Sequence, residues 1–152
     1  MTTFPVEEKK RGGDSMRWRA TYQISARVMA VVFAIVGLLF LTSGGGVLRF
    51  FNSLSAGLNL EQAPVDATDL FLVLAVGYMY LVTLLAWLMA RHPENRFFPM
   101  LLMNAKFASS FLSIAFFMFH HQYLIYVTNG VVDGCIGVFV LILSQTTRKA
   151  AV

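Results

Sequence analysis

Cysteine and histidine are scarce in this chain, and their scarcity excludes several kinds of chemistry. The single cysteine, Cys135, cannot form a disulfide within the chain or complete a CxxC motif. His92 lies in one predicted loop, whereas His120 and His121 lie in another, a membrane thickness away. Because no histidines face each other at matching depth, we expect no haem or other cofactor. We also predict no metal site; the weaker alternative is a peripheral ion held by His120, His121 and an outer carboxylate.

Charged residues are also few. They make up 13% of the 152 residues, whereas 57% are hydrophobic, a composition that excludes an ordinary soluble domain. Four apolar runs are each close to the roughly 20 residues with which a helix crosses a bilayer. Uniformly apolar runs of this length also exclude barrel strands. The sequence therefore predicts one all-α transmembrane domain over residues 16–146, with spans at about 22–42, 69–90, 97–119 and 123–144.

Basic residues are nearly absent from one side of the predicted domain. The loop between the first two spans has Arg49 alone, and the loop between the last two spans has no arginine or lysine. The other side carries Lys9, Lys10, Arg11, Arg17, Arg19, Arg27, Arg91, Arg96, Arg148 and Lys149. This asymmetry predicts an antiparallel four-helix bundle with both termini in the cytoplasm, in the inner membrane of a bacterium. The net charge of +4 thus reflects membrane orientation, and we expect no nucleic-acid partner.

Three segments outside the spans have compositions of their own. Residues 1–15 are polar and contain a Gly-Gly pair, and we predict a flexible cytoplasmic tail there; residues 147–152 form a second tail. Gly44–Gly46 follow the first span and can end a helix or admit a second backbone. Residues 47–58 then combine apolar and polar positions, which predicts a short interfacial helix on the outer surface.

The last two spans each contain one ionisable residue, Lys106 and Asp133. If these spans form a hairpin about His120, both residues are roughly 13 positions from its apex, or about 20 Å. An unpaired charge at the centre of a membrane helix costs about 2.5–3.5 kcal/mol on insertion scales. We therefore expect Lys106 and Asp133 to face each other inside the bundle.

Polar and small residues accompany this pair on one face of each span. Ser110 shares a helical face with Lys106, and Asn129 lies on the stripe that contains Asp133. Gly130 and Gly134 on the same stripe predict a close helix crossing. Tyrosine hydroxyls of the second span need hydrogen-bond partners and are expected to find them here. The candidate ligand- or ion-site residues are Lys106, Asp133, Asn129, Ser110, Tyr78 and Tyr80.

Two interpretations of this polar interior stay open. The favoured one is a structural ion pair that fixes the register of two helices. The other is a proton or ion site, or the polar floor of a ligand cavity. No nucleophile–base pair and no phosphate-binding loop is recognisable, because Gly44–Gly46 follow a membrane span and not a strand. The sequence therefore favours a protein that is not an enzyme and predicts no catalytic residue.

The arrangement resembles that of the DoxX-like group of small bacterial four-helix membrane proteins. Gly44–Gly46 after the first span, and Lys106 and Asp133 in the last two, carry the resemblance over roughly residues 24–144. Members of that group include accessory subunits of quinone- or thiosulfate-linked redox systems. We predict an accessory or assembly subunit of a membrane complex, with the lipid bilayer, other subunits or a second copy as partners. The alternative is a small-molecule or ion binding or transport protein with a polar cavity at mid-membrane depth.

Overall fold

The computed structural model describes the backbone of residues 6–65 and 69–149 and the side chains of residues 17–65 and 72–146. Within these ranges the chain is helical and contains no strand, which confirms the all-α prediction. Each helix is long and apolar enough to cross a membrane. The helices are α1 (Val6–Gly57), α2 (Asp69–Arg91), α3 (Phe97–Phe119) and α4 (Leu124–Lys149).

α2 and α3 agree with their predicted spans, whereas α1 extends beyond its predicted span in both directions and α4 extends beyond its C-terminal end. α2 and α3 match to within one residue, because Pro93 and Pro99 limit the helices on either side of the loop between them. α1 begins at Val6, so its backbone is helical through most of the segment predicted as a flexible tail. α4 likewise continues to Lys149, into the second predicted tail. Residues 1–5 and 150–152 lie outside the described part of the chain.

α1 is one long helix with a kink at Ser43, whose φ of −142° and ψ of 29° are not helical. Gly44–Gly46 follow the kink directly, and glycine is the weakest helix former after proline. Beyond them the helix resumes and ends at Gly57. The short helix predicted after the first span is thus present as the bent continuation of α1. A left-handed Asn59 (φ 54°) ends it, and the Leu60 amide donates to the Ser55 carbonyl at 3.0 Å.

The segment after α1 folds back and is fastened at two points. The Asn52 side chain donates to the carbonyl of Ala63 and accepts from its amide, both at 2.8 Å. Farther along, Glu61 Oε2 lies 3.0 Å from His121 Nδ1 in the turn between α3 and α4. These contacts hold the segment against α1 and against the end of the bundle formed by that turn.

The four helices pack around a small apolar core. α1 contacts α2 and α4, and α3 contacts α2 and α4, with the most extensive packing within α1–α2 and α3–α4. Large apolar side chains are exposed on all four helices, as expected for a surface that faces lipid or partner helices. The core consists of Tyr22, Ala26, Met29, Ala30, Phe33, Val82, Ala86, Met89, Ala90, Leu102 and Val140.

Candidate functional site

The interface between α3 and α4 contains an ion pair deep inside the bundle. Lys106 Nζ lies 2.8 Å from Asp133 Oδ1, and the two side chains are only 2% and 5% exposed. This contact confirms the predicted pairing of the two charges. In a low-dielectric interior, a charge-assisted hydrogen bond of this length offsets much of the desolvation that each group would suffer alone.

Aromatic rings from the other two helices complete the surroundings of the ammonium. The centroid of the Phe33 ring in α1 is 4.7 Å from Lys106 Nζ, and that of the Tyr78 ring in α2 is 5.0 Å away. Both distances are within the range of cation–π attraction. The Tyr78 hydroxyl donates to the carbonyl of Ala105 at 3.1 Å. All four helices therefore meet around one positive charge.

Close packing of α3 against α4 positions the two charged residues. Ser110 Oγ donates to the carbonyl of Gly130 at 2.6 Å. A Cβ atom on Gly130 would lie 2.7 Å from Ile114 Cγ1, and one on Gly137 would lie 2.8 Å from the Phe107 ring. The small-residue stripe of α4 thus admits the backbone of α3 at a distance that larger residues would prevent, as Gly130 and Gly134 predicted.

Asn129 and Tyr80 are candidate site residues that lie outside the buried cluster. Asn129 is exposed, and its Nδ2 donates to Ser109 Oγ at 3.2 Å and to Ser113 Oγ at 2.8 Å. It therefore fastens α3 to α4 on their outer side. Tyr80 is 70% exposed on the outer face of α2. The structure brings together Lys106, Asp133 and Tyr78, with Ser110 one turn along α3.

Sequence reasoning missed Phe33, because a phenylalanine in a uniformly apolar span carries no polar signal. Gly77 of α2 faces open space, since no atom lies within 4 Å of the position that its Cβ would occupy.

One oxygen of the ion pair is left without a protein partner. Asp133 Oδ2 is buried and, among the described residues, accepts no hydrogen bond. The hydroxyl of Tyr22, in the α1 part of the core, is the other such side-chain atom in the same part of the chain. A buried unpartnered oxygen is costly, so Oδ2 is the atom of the cluster best able to accept a proton or a small cation.

The end of the bundle that contains the turn between α3 and α4 carries a second, exposed polar cluster. His121 is paired with Glu61, and its ring stacks on Tyr123 at a centroid distance of 5.0 Å and an interplanar angle of 7°. His120 contacts the Phe116 ring. Over the side chains that the structure describes, no three His, Cys, Asp or Glu residues gather as metal ligands. Glu61 and His121 alone link the segment after α1 to the turn between α3 and α4, and they do not form a set of metal ligands.

The chemistry available at the buried cluster is narrow. It holds one cation, one carboxylate and two aromatic rings, which can bind a charge, stabilise a helix register or exchange a proton. The chain matches no protein-family model, no curated protein and no solved structure. Function must therefore be inferred from the geometry of these residues.

Proposed function

We propose that this chain is a non-catalytic integral membrane protein that acts as an accessory or assembly subunit of a larger membrane complex. The buried charges support a structural role, since Lys106 and Asp133 bind each other and are nearly inaccessible from outside. The same role is what the resemblance to DoxX-like proteins implies. On this proposal the function resides on the outer surface of the bundle.

The observation that carries the proposal is an exposed amide on the apolar surface of α3. Asn104 lies seven residues into a membrane-length helix, about 10 Å from its start. Its carboxamide makes no hydrogen bond with any described residue, in contrast to Asn129, which binds two serines. A carboxamide in hydrocarbon without a partner is unfavourable, and membrane helices satisfy such groups by hydrogen bonds to a neighbouring helix.

The surroundings of Asn104 suit a second helix. Leu101, Ala108 and Phe111 lie three, four and seven positions away on the same face of α3, and all are exposed. Phe111 and Leu101 supply apolar area, whereas Ala108 leaves room for a close backbone. The partner is thus a transmembrane helix that offers a hydrogen-bonding group at the depth of Asn104.

Affinity purification from native membranes tests this proposal. The tagged wild-type protein should bring down an integral membrane partner in stoichiometric amount, and the Asn104→Leu variant should lose it. Gln145→Leu is the matched control, because it also replaces an exposed amide by leucine, near the C-terminal end of α4. Isolation of the wild-type protein alone, as a monomer or homo-oligomer, would contradict the accessory role.

The proposal includes an antiparallel bundle with both termini in the cytoplasm of a bacterial cell. Exposed ion pairs support the arrangement of the ends. Arg19, which precedes the apolar part of α1, binds Glu94 in the loop between α2 and α3, so these segments share one end. Glu61 binds His121, so the loop after α1 and the turn after α3 share the other. The first of these ends carries most of the arginine and lysine, as the cytoplasmic side does in inner-membrane proteins.

A second candidate function is proton or small-cation binding and transport, and the unpartnered Asp133 Oδ2 favours it. Purified protein in liposomes with an internal pH dye would test it. If this function holds, wild-type protein should dissipate an imposed pH gradient and Asp133→Asn should not, whereas Gln145→Leu should behave as wild type. Equal rates in wild-type and empty liposomes would exclude proton transport.

A further inference from the structure

An open pocket of about 860 Å³ lies where α2 ends and α3 begins. The membrane-length segments end at Arg91 and begin again at Phe97, so the pocket lies at the depth of lipid headgroups. It is separate from the buried ion pair and does not include Asn104, although Phe97 and Met100 lie on the same face of α3 as Asn104, closer to the start of that helix. The residues that line it are Arg91, His92, Pro93, Glu94, Asn95, Arg96, Phe97 and Met100.

The polar part of the pocket favours an anion. Arg91 and Arg96 line the pocket and each carries a guanidinium group, and His92 beside them carries an imidazole that can donate a hydrogen bond. The carboxylate of Glu94 is the only acidic group in the lining, and its charge is offset because it binds Arg19 of α1. Guanidinium groups bind phosphate oxygens with two parallel hydrogen bonds, which lysine cannot do.

Arg91 is also held in place. Its guanidinium carbon lies 4.7 Å from the centroid of the Trp87 ring, one turn earlier in α2. Stacking on tryptophan restricts the side chain before any ligand arrives, so less conformational entropy is lost on binding. Tryptophan at the end of a membrane helix typically lies at the headgroup boundary, where a lipid phosphate would be.

The rest of the lining is apolar and leads toward the membrane interior. Phe97 is 68% exposed, and Met100 is exposed one turn deeper along α3. A soluble anion would gain nothing from these side chains. A phospholipid would place its phosphate between the guanidinium groups and lay an acyl chain along Phe97 and Met100.

We propose that this pocket binds the headgroup of an anionic phospholipid, through contacts of Arg91 and Arg96 with its phosphodiester. The binding does not rest on the accessory role, because the residues that line the pocket do not include Asn104. It would anchor the loop between α2 and α3 to the cytoplasmic leaflet.

Native mass spectrometry of the full-length protein in detergent, with added phosphatidylglycerol or phosphatidylcholine, tests the site. The wild type should bind phosphatidylglycerol at least about tenfold more tightly than phosphatidylcholine, as expected when two cations contact an anionic headgroup. The double variant Arg91→Gln/Arg96→Gln should lose that preference. Arg91→Lys/Arg96→Lys should retain part of it, since the charge remains while the paired hydrogen bonds are lost.

The matched control is Arg17→Gln/Arg27→Gln. It removes the same charge from exposed positions on α1 that do not line the pocket, and it should keep the wild-type preference. If this control loses the preference to the same extent as Arg91→Gln/Arg96→Gln, binding is only a general effect of surface charge and the site is refuted. Equal affinity of the wild type for both lipids would also refute it, as would displacement of phosphatidylglycerol by inorganic phosphate alone.

Tryptophan fluorescence provides a second measurement, which reports whether the lipid binds close to Trp87. In a Trp18→Phe background, Trp87 is the remaining tryptophan, and phosphatidylglycerol with brominated acyl chains should quench it more strongly than brominated phosphatidylcholine. Arg91→Gln/Arg96→Gln should abolish the difference between the two lipids. Identical quenching by both lipids in the wild-type pocket would contradict the proposal.

Discussion

Lys106 in α3 and Asp133 in α4 form a 2.8 Å ion pair that is covered by Phe33 of α1 and Tyr78 of α2. Each helix thus contributes one side chain to a single buried contact. Any relative sliding or rotation of α3 against α4 would separate the charges in an apolar surrounding, where separation is most costly. The pair therefore defines the register of these two helices.

Removing one charge of the Lys106–Asp133 pair should destabilise the protein more than removing both. Asp133→Leu leaves an unpaired buried ammonium, and we expect it to lower the free energy of unfolding by about 3–5 kcal/mol. The double variant Lys106→Met/Asp133→Leu should show a clearly smaller decrease in the free energy of unfolding, because no charge stays buried. Unfolding of the purified proteins in mixed micelles by added sodium dodecyl sulfate measures both. Equal losses would mean that the pair does not behave as a coupled unit.

Replacing Gly137 and Gly77 by alanine should affect the stability of the protein differently. In Gly137→Ala the new methyl group would press on the Phe107 ring, and we expect a loss of about 1–3 kcal/mol in the free energy of unfolding. Gly77→Ala meets open space and adds helix propensity, so it should be neutral or stabilise by up to about 1 kcal/mol. The same unfolding assay compares them. A destabilising Gly77→Ala would contradict the open space at this position.

The bidentate contact between Asn52 and Ala63 should control the segment that follows α1. Asn52→Leu removes two 2.8 Å hydrogen bonds, and we expect faster hydrogen–deuterium exchange in residues 58–65 while α3 and α4 keep their protection. Ser53→Ala is the control, because the Ser53 hydroxyl binds only the nearby Phe50 carbonyl. Unchanged exchange in Asn52→Leu would show that other contacts hold the segment.

The proposed topology predicts which loops can be labelled from outside the cell. In a Cys135→Ala background, Gln122→Cys lies in the turn after α3 and should react with a membrane-impermeant maleimide in intact cells. Glu94→Cys, in the loop between α2 and α3, should react only after the membrane is permeabilised. The reverse pattern would place both termini outside the cytoplasm.

The sequence predicted those parts of the fold that depend on span length and on unfavourable charge. The boundaries of α2 and α3 followed from apolar runs with prolines at the loop between them, and the pairing of Lys106 with Asp133 followed from the cost of leaving either alone. The crossing of α3 and α4 followed from the glycine stripe of α4. In each case the observed arrangement is much lower in free energy than one that leaves a charge or a backbone polar group unpaired in the membrane, or that separates the two helices.

The orientation of individual side chains could not be predicted in the same way. Tyr78 and Tyr80 are two positions apart, about 200° around a helix, so only one of them can face inward. Both are tyrosines in an apolar span, and nothing local distinguishes them; packing of α2 against α1 and α3 places Tyr78 inside and Tyr80 outside. The helix predicted over residues 47–58 is present, but its direct continuation from the first span through Gly44–Gly46 was not predicted, because glycine disfavours a helix.

The order of synthesis gives the Lys106–Asp133 pair a further consequence. The two residues are 27 positions apart in the chain, so Lys106 of α3 reaches the membrane before Asp133 of α4 does. Lateral release of α3 alone into the lipid would expose an uncompensated ammonium, whereas joint release with α4 delivers a neutral pair. The translocon is therefore expected to retain α3 until α4 arrives, and the last two helices enter the bilayer as one unit.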